Sequence, residues 1–198
     1  MINDSKGGSM LRVMSLVLVF LTLSACGTQM QIARPDKNSG YLDGGGTYSN
    51  DVRKAEVIKS TPISLKKYDS NVFVSGGGKY AVDQVRALGY FQSVFDNESL
   101  QKIVIQNHLQ DKVQSLSDPI GLNNLYRYYK PFLWIHFKSE RKEGVLYWRL
   151  VVTDPDSLDD LFVCQTQFNQ WTDWAINDQT MRFPLFNSLI DWIKKSSG

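Results

Sequence analysis

Hydrophobic and polar positions follow the pattern of β-strands in three long segments of the second half of the chain. Residues 132–139 (FLWIHFKS), 145–153 (VLYWRLVVT) and 161–168 (LFVCQTQF) are rich in β-branched and aromatic side chains, which fit a pleated, half-buried sheet. A charged turn at 140–144 and an acidic loop at 154–160 connect them. Because connections this short join antiparallel neighbours, the pattern predicts a three-stranded antiparallel meander.

The first half of the chain alternates between short strand patterns and helical patterns, in which apolar residues recur every three or four positions. Ala81 and Val85 mark one apolar helix face, and Ile105 and Leu109 mark another. The predicted strands are 56–59, 71–74 and 90–95, and the predicted helices are 79–88, 99–116, 122–130 and 181–195. This order predicts an α+β fold with a mixed sheet, a C-terminal antiparallel meander and helices packed on one face.

The N-terminal residues have the layout of a secretory signal peptide. Lys6 and Arg12 precede an uncharged apolar run at 13–23, which is shorter than the about 20 residues that a membrane-spanning helix needs. Small residues follow the run, as they do before a cleavage site. Met10 is an alternative start, because the sequence that follows it is a more compact signal. The pattern predicts that residues 1–25 are removed.

The end of this segment, Leu23-Ser24-Ala25-Cys26, resembles the lipobox of bacterial lipoproteins. The resemblance implies cleavage before Cys26 and attachment of a diacylglyceryl group, with acyl chains such as palmitate, to its thiol. Two or more acyl chains anchor a protein stably, whereas one does so only marginally. Gly27 stands where an aspartate would retain the protein at the inner membrane. The resemblance therefore implies the periplasmic face of the outer membrane.

Residues 27–54 are rich in Gly, Asn, Asp and Ser and sustain no apolar periodicity, which is typical of a flexible linker. We therefore expect three parts. They are a lipoprotein signal peptide over 1–25, the lipidated cysteine and a flexible tether over 26–55, and a single periplasmic domain over 56–198. At about 3.3 Å per extended residue, the tether would let the domain reach several tens of ångströms from the membrane.

The charge balance argues against a nucleic-acid partner. The 198-residue chain has 22 Lys and Arg residues against 20 Asp and Glu residues, a formal net charge of +2, without the basic excess that is typical of nucleic-acid binding. Two cysteines and two histidines are too few for a disulfide-stapled fold or a multi-cysteine zinc site. We expect no metal and no cofactor, and we place Cys164 in the core.

Candidate catalytic residues are sparse, and each has a structural interpretation that we favour. His108 and His136 have no Cys, Asp or Glu at metal-ligand spacing. The segment 76–79 (GGGK) precedes a helix, whose N-terminus attracts anions, but it lacks the full P-loop pattern and fits a tight turn. The acidic stretch 154–160 either holds Ca²⁺ or, as we favour, forms a solvated hairpin tip. We therefore expect that the protein is not an enzyme.

Aromatic residues offer a candidate binding surface. Trp171 and Trp174 lie between the last predicted strand and the last predicted helix, among acidic and amide side chains. Exposed tryptophans are enriched at binding hot spots, so this pair is the candidate partner-binding site. The alternative is that the pair closes the core beneath the C-terminal helix, since most large aromatics serve packing. Trp148 shares a strand face with Leu146 and Leu150 and is expected to cover the sheet.

The segments 87–94 (ALGYFQSV) and 128–135 (YYKPFLWI), with the order of elements around them, resemble the TolB N-terminal-like fold. CsgG-type and related envelope lipoproteins share this fold, and the resemblance covers 56–195 as a layout. It implies a periplasmic accessory or assembly factor. Several such lipoproteins form rings or dock onto synthases and secretion machinery.

These observations favour one function and leave an alternative open. We expect a non-catalytic outer-membrane lipoprotein that is an accessory or assembly factor of a cell-envelope complex for secretion, polysaccharide export, surface appendages or wall synthesis. Its expected partners are the membrane, through lipid on Cys26, and envelope proteins or further copies of itself in a ring. The alternative is a periplasmic lipoprotein that binds a small glycan or lipid on aromatic surfaces. A hydrolase that uses His108 or His136 with a carboxylate is a third hypothesis.

Overall fold

The computed structural model describes residues 32–43, 55–168 and 181–196. Within these ranges the chain forms six strands and four helices. The strands are β1 (Glu56–Ser60), β2 (Asn71–Ser75), β3 (Ser93–Phe95), β4 (Leu133–Lys142), β5 (Val145–Thr153) and β6 (Asp160–Phe168). The helices are α1 (Gly78–Ala87), α2 (Asn97–Gln106), α3 (Pro119–Tyr128) and α4 (Phe183–Ser196). None of the helices in these ranges combines the length and the apolar character that crossing a membrane requires.

The strands form one mixed sheet in the order β1-β6-β5-β4-β2-β3. β2 is parallel to both of its neighbours, β3 and β4, whereas β4, β5, β6 and β1 pair antiparallel in succession. The continuous pairing of β4 with β5 and of β5 with β6 is the predicted meander. The α+β class, the mixed sheet and its antiparallel C-terminal part are therefore confirmed.

Helices lie on both faces of this sheet, and successive residues of β2 show the division. Val72 and Val74 belong to a large core with α1 and α4, whereas Phe73 belongs to a smaller core with α2 and α3. Neighbouring side chains of a strand point to opposite faces. The arrangement thus differs from the predicted packing on one face. The reason is that β2, a parallel strand inside the sheet, is apolar on both sides, so each side needs a cover.

The single helix predicted over 99–116 is wrong in its second half. α2 ends in a left-handed turn at His108, whose φ is 53°. There the N–H of His108 bonds to the carbonyl of Ile105 at 3.2 Å. The N–H of Leu109 bonds to the carbonyl of Val104 at 2.9 Å, which completes the Schellman arrangement that ends many helices. Val104 faces the smaller core, and Ile105, predicted on the apolar face, is 60% exposed.

Residues 32–43 pack against the domain, although they belong to the stretch predicted as a flexible tether. Leu42 is only 3% exposed and is part of the large core, and Ala33 and Tyr41 pack against that core. Over this segment, which we call the strap, the structure differs from the predicted tether. The sequence pattern did not predict this docking because one buried leucine and a few hydrogen bonds to the backbone hold the strap, and neither produces an apolar periodicity.

Candidate functional site

The three residues predicted to bind lipid or a partner, Cys26, Trp171 and Trp174, lie outside the described residues and remain predictions. Cys164, by contrast, is confirmed as a core residue. It is fully buried on β6, and its Sγ lies 3.8 Å from the carbonyl oxygen of Leu185 in α4. Burial raises the pKa of the Cys164 thiol. A buried, protonated thiol is chemically inert.

A polar cluster surrounds His136 on β4. The imidazole stacks on the ring of Trp134, with centroids 4.3 Å apart, and the indole N–H of Trp134 donates to the hydroxyl of Ser75 at 2.9 Å. The Nε2 atom of His136 lies 3.1 Å from Oγ1 of Thr153. The Thr153 hydroxyl in turn donates to the carboxylate of Asp160 at 2.7 Å. Because the hydroxyl hydrogen points to the carboxylate, the imidazole is the donor in its own bond, through Nε2–H.

This cluster ties strands together and does not have the geometry of a nucleophile with its base. Burial, with a smaller contribution from the charge of Lys138, lowers the pKa of His136 to about 4, so the ring is neutral at neutral pH. The hydroxyl of Thr153 cannot be deprotonated by an imidazole that donates to it. Thr153 is also only 4% exposed, so its hydroxyl is not accessible to a substrate. His108 is exposed in the turn that follows α2 and is not part of this cluster.

Asp154 is a buried carboxylate held by three hydrogen bonds. It is 4% exposed and accepts hydrogen bonds from Nζ of Lys67 at 2.7 Å and from the hydroxyl of Tyr68 at 2.9 Å. Burial by itself would raise the pKa of Asp154, but these bonds and one from the backbone N–H of Asp156 outweigh it and lower the pKa. Burial and the bond to Asp154 raise the pKa of Tyr68 to about 12. The cluster pins the turn before β2 to the end of β5.

The acidic loop that follows Asp154 is a docked hairpin connection. The side-chain amide of Asn123 on α3 donates to the carbonyls of Pro155 and Asp156, at 2.7 and 2.9 Å. Asp160 accepts from Thr153, as described above. Across the described ranges, no group of three His, Cys, Asp or Glu side chains is placed to hold a metal ion. The predicted solvated tip is therefore correct only for residues 156–159, whose side chains are exposed, whereas Asp154 at the start of the stretch is buried and bonded to Lys67 and Tyr68.

The glycine-rich segment before α1 is a close-packing turn. Gly76 has a φ of 78°, and a Cβ atom there would lie 2.1 Å from the carbonyl oxygen of Phe137. A Cβ atom on Gly77 would lie 2.3 Å from that of Ala81. Lys79 forms an ion pair with Asp83 one turn later in the helix. Glycine is therefore required by the contact with β4, which accounts for this segment without an anion.

A groove of about 360 Å³ lies on the α2 side of the sheet. Its walls combine aliphatic side chains, such as Val104 and Val113, with amide and hydroxyl groups, such as Gln101, Gln114 and Ser115. No aromatic side chain lines this groove. It thus lacks the stacking surface on which the glycan-binding alternative depends.

Two amide side chains clamp the backbone of the strap. Gln84 on α1 donates to the carbonyl of Ala33 at 2.7 Å and accepts from its N–H at 2.9 Å. Asn187 on α4 does the same with Leu42, at 3.0 and 2.8 Å. Each amide thus satisfies both backbone groups of one residue, as a neighbouring strand would. Between them, the strap spans from α1 to α4.

The middle of the strap is a tight turn that also contacts α4. The carboxylate of Asp36 accepts from the N–H groups of Asn38 and Ser39 at 2.9 and 2.8 Å, and its own N–H donates to the carbonyl of Tyr41 at 2.8 Å. The hydroxyl of Tyr41 donates to Asp191 on α4. No periodic sequence pattern predicts this site. The turn-forming composition of residues 36–40 (DKNSG) was its only local signal.

The outer strand β1 is held by polar bonds on the face of the sheet that lies opposite the large core. Arg149 on β5 pairs with Glu140 on β4 and donates from Nε to the side-chain carbonyl of Gln165 on β6 at 2.9 Å. Gln165 then donates to the carboxylate of Glu56 on β1 at 2.7 Å. This polar ladder therefore crosses four strands in succession. Such a face is compatible with solvent, whereas the opposite face is not.

No family model matches the chain, and no curated protein matches it significantly. Solved structures that are similar at a low level include two chains. Lipoprotein GNA1162 from Neisseria meningitidis is 10% identical, with a TM-score of 0.33, over 64% of this chain and 94% of that chain. A PelC dodecamer from Paraburkholderia phytofirmans is 12% identical, with a TM-score of 0.31, over 72% of this chain and 94% of that chain. These similarities assign neither a family nor a function to this chain.

Proposed function

We propose that the protein is a non-catalytic lipoprotein, anchored through Cys26 at the periplasmic face of the outer membrane. Its α+β domain would be an accessory or assembly factor of a cell-envelope complex. The observation that carries this proposal is Leu23-Ser24-Ala25-Cys26 directly after the short apolar run at 13–23. This motif provides a stable membrane attachment that needs no spanning helix.

The roles of the polar side chains support a binding function over a catalytic one. Asp154 and His136 hold the turn before β2 and the strands together. Asp96 and Asp118 cap the N-termini of α2 and α3. Catalysis needs a nucleophile or a base that a substrate can reach, and these groups are engaged in holding the fold.

The edge strand β1 favours a protein partner. It is the first strand in the sheet order and pairs with β6 on one side. Val57 and Ile58 on this strand are 50% and 49% exposed. Edge strands with exposed apolar side chains pair readily with another strand. We propose that the partner surface comprises this edge together with Trp171 and Trp174.

Exchange of one cysteine tests the anchor. The full-length chain and its Cys26→Ser variant would be produced in a Gram-negative host, and the N-terminal fragment of each would be weighed by mass spectrometry. We expect lipid on the unaltered chain and none on the variant, which should leave the membrane fraction. Cys164→Ser is the matched control, because it removes the other thiol and should stay lipidated. An unaltered chain without lipid would refute the proposal.

The partner surface is tested in the host membrane. Detergent-solubilised protein with Ile58→Lys, or with Trp171→Ala and Trp174→Ala, would be compared with the unaltered protein by the mass of the purified particle. We expect the unaltered protein in a particle larger than the monomer and the variants in smaller ones. Ile105→Lys, which alters an exposed isoleucine on α2, is the control. A monomer in every sample would contradict the assembly role.

A further inference from the structure

We propose that the strap holds the domain at the membrane surface, with the side formed by α1, α4 and the strap facing the lipid headgroups. This inference rests on the proposed anchor at Cys26. The partner of this side is the bilayer itself, which it recognises through the phosphates of the leaflet that carries the anchor.

The reach of the chain carries the argument. Gln84 fixes both backbone groups of Ala33, so the domain is held from this residue onward. The seven residue steps from Cys26 to Ala33 span at most about 25 Å when fully extended. With the strap released, the first held residue would be Glu56, and thirty steps would span up to about 100 Å. The docked strap thus reduces the maximum reach about fourfold.

The position of the clamp selects which side faces the membrane. The segment from Cys26 to Ala33 is comparable in length to the radius of a domain of this size, about 15 Å or more. The domain therefore cannot freely turn its opposite side to the bilayer. Gln84 is on α1, and the rest of the strap lies against α4 through Asn187 and Tyr41. These elements pack on the large-core face of the sheet, whereas α2 lies on the other.

Exposed cations on this side suit a phosphate surface. Arg34 and Lys37 of the strap are exposed, and so is Lys195 near the end of α4. Lysine and arginine near an anionic leaflet are attracted to its headgroups. Of the carboxylates on this side, Asp36 accepts from the N–H groups of Asn38 and Ser39 within its own turn and Asp191 accepts from Tyr41, and the strap also carries the exposed Asp43.

Quenching by labelled lipid tests the orientation. Lipidated protein would be reconstituted in phosphatidylethanolamine and phosphatidylglycerol vesicles that carry a nitroxide on some headgroups. A fluorophore would be attached to Lys195→Cys on the strap side or to Gln101→Cys on α2. The buried Cys164 does not compete for label. We expect the fluorophore at 195 to lose most of its emission and the fluorophore at 101 to keep most of it.

Release of the strap should remove this difference. Gln84→Ala combined with Leu42→Ser and Asn187→Ala removes both amide clamps and the buried leucine, and it should bring the emission at 195 up to that at 101. Asn123→Ala, which removes two equivalent amide bonds to the loop after β5, should change neither. Hydrogen exchange at residues 33 and 42 of the same samples shows whether the strap was released and the domain stayed folded.

Two results would overturn the proposal, and they differ in kind. Equal quenching at both positions in protein whose lipid is verified by mass would refute the orientation and leave the anchor intact. Absence of lipid on Cys26 would refute the proposed function itself. In that case hydrogen exchange would still report the docking of the strap on the domain.

Discussion

The two ends of the sheet are built differently. At the β2–β3 end the strands are parallel and helices cover both faces, so residues 71–74 are all buried. At the β5–β6 end the strands are antiparallel, and Leu150 and Cys164 face the large core while Arg149 and Gln165 form a polar ladder on the other side. Parallel strands need cover on both faces, whereas antiparallel ones can leave one face polar. The β2–β3 end is therefore buried on both faces, whereas the β5–β6 end is buried on one face and leaves the other face polar.

The largest effect is expected at the end covered on both sides. Phe73→Ala should lower the free energy of unfolding by about 3–5 kcal/mol, because it leaves a cavity in the smaller core. Tyr147→Ala, on the face opposite the large core at the antiparallel end, should cost about 1 kcal/mol. Urea denaturation of both variants measures the difference. Equal losses would show that the two ends do not differ in the way described.

The strap extends the cover of the large core, and Leu42 is the residue that joins it. Leu42→Ala should lower the free energy of unfolding by about 2–4 kcal/mol, as expected for a buried leucine. Ile32→Ala alters a 45% exposed residue of the same segment and should change stability by at most about 0.5 kcal/mol. Thermal or urea denaturation measures both. If Leu42→Ala were as mild as its control, the segment would be a tether after all.

His136 makes the stability of the β4–β5 pair depend on pH. Its pKa is about 4 in the folded protein and 6.5 for the free side chain. A lowered pKa means that its contribution is present above pH 6.5 and is lost as the pH falls towards 4. The unaltered protein should therefore lose about 2–3 kcal/mol more over this window than His136→Gln. The glutamine can still donate to Thr153 but cannot titrate, so parallel stability curves for the two proteins would contradict the prediction.

The smallest effect is expected in the polar ladder. Arg149→Ala should lower the free energy of unfolding by about 1 kcal/mol and speed hydrogen exchange in β1, because Gln165 and Glu140 lose a mostly buried partner. Lys102→Ala removes an exposed ion pair with Glu98 on α2 and should cost at most about 0.5 kcal/mol. Hydrogen exchange combined with urea denaturation separates local from global loss. Unchanged exchange in β1 would show that the ladder does not hold the edge.

Local patterns predicted the meander well. β5 occupies 145–153 as predicted, and Trp148 packs against the large core beside Leu150, as their alternation indicated. Alternation works here because each strand residue faces either the core or the opposite side, and the short connections fix the neighbours.

Local patterns failed where a contact distant in the chain decided the outcome. The apolar residues at 109, 113 and 116 were predicted on α2, but they reach the smaller core from the segment after it. Their spacing is the same in both arrangements, and only the turn at His108 separates them. The candidate site shows the same limit, since Gln84 and Asn187 are ordinary polar residues of amphipathic helices until the strap is placed against them.

The sequence by itself determined the types of most elements and the side of each long strand that faces the core, and the signal peptide and the lipobox-like motif remain predictions from it. These properties depend on neighbouring residues and on periods of two or three to four positions. Only the tertiary structure decided the distribution of helices over two faces, the partial burial of His136 and the docking of the strap. Those features join residues far apart in the chain, such as Leu42 and Asn187, which are 145 positions apart, and no local pattern encodes such a pairing.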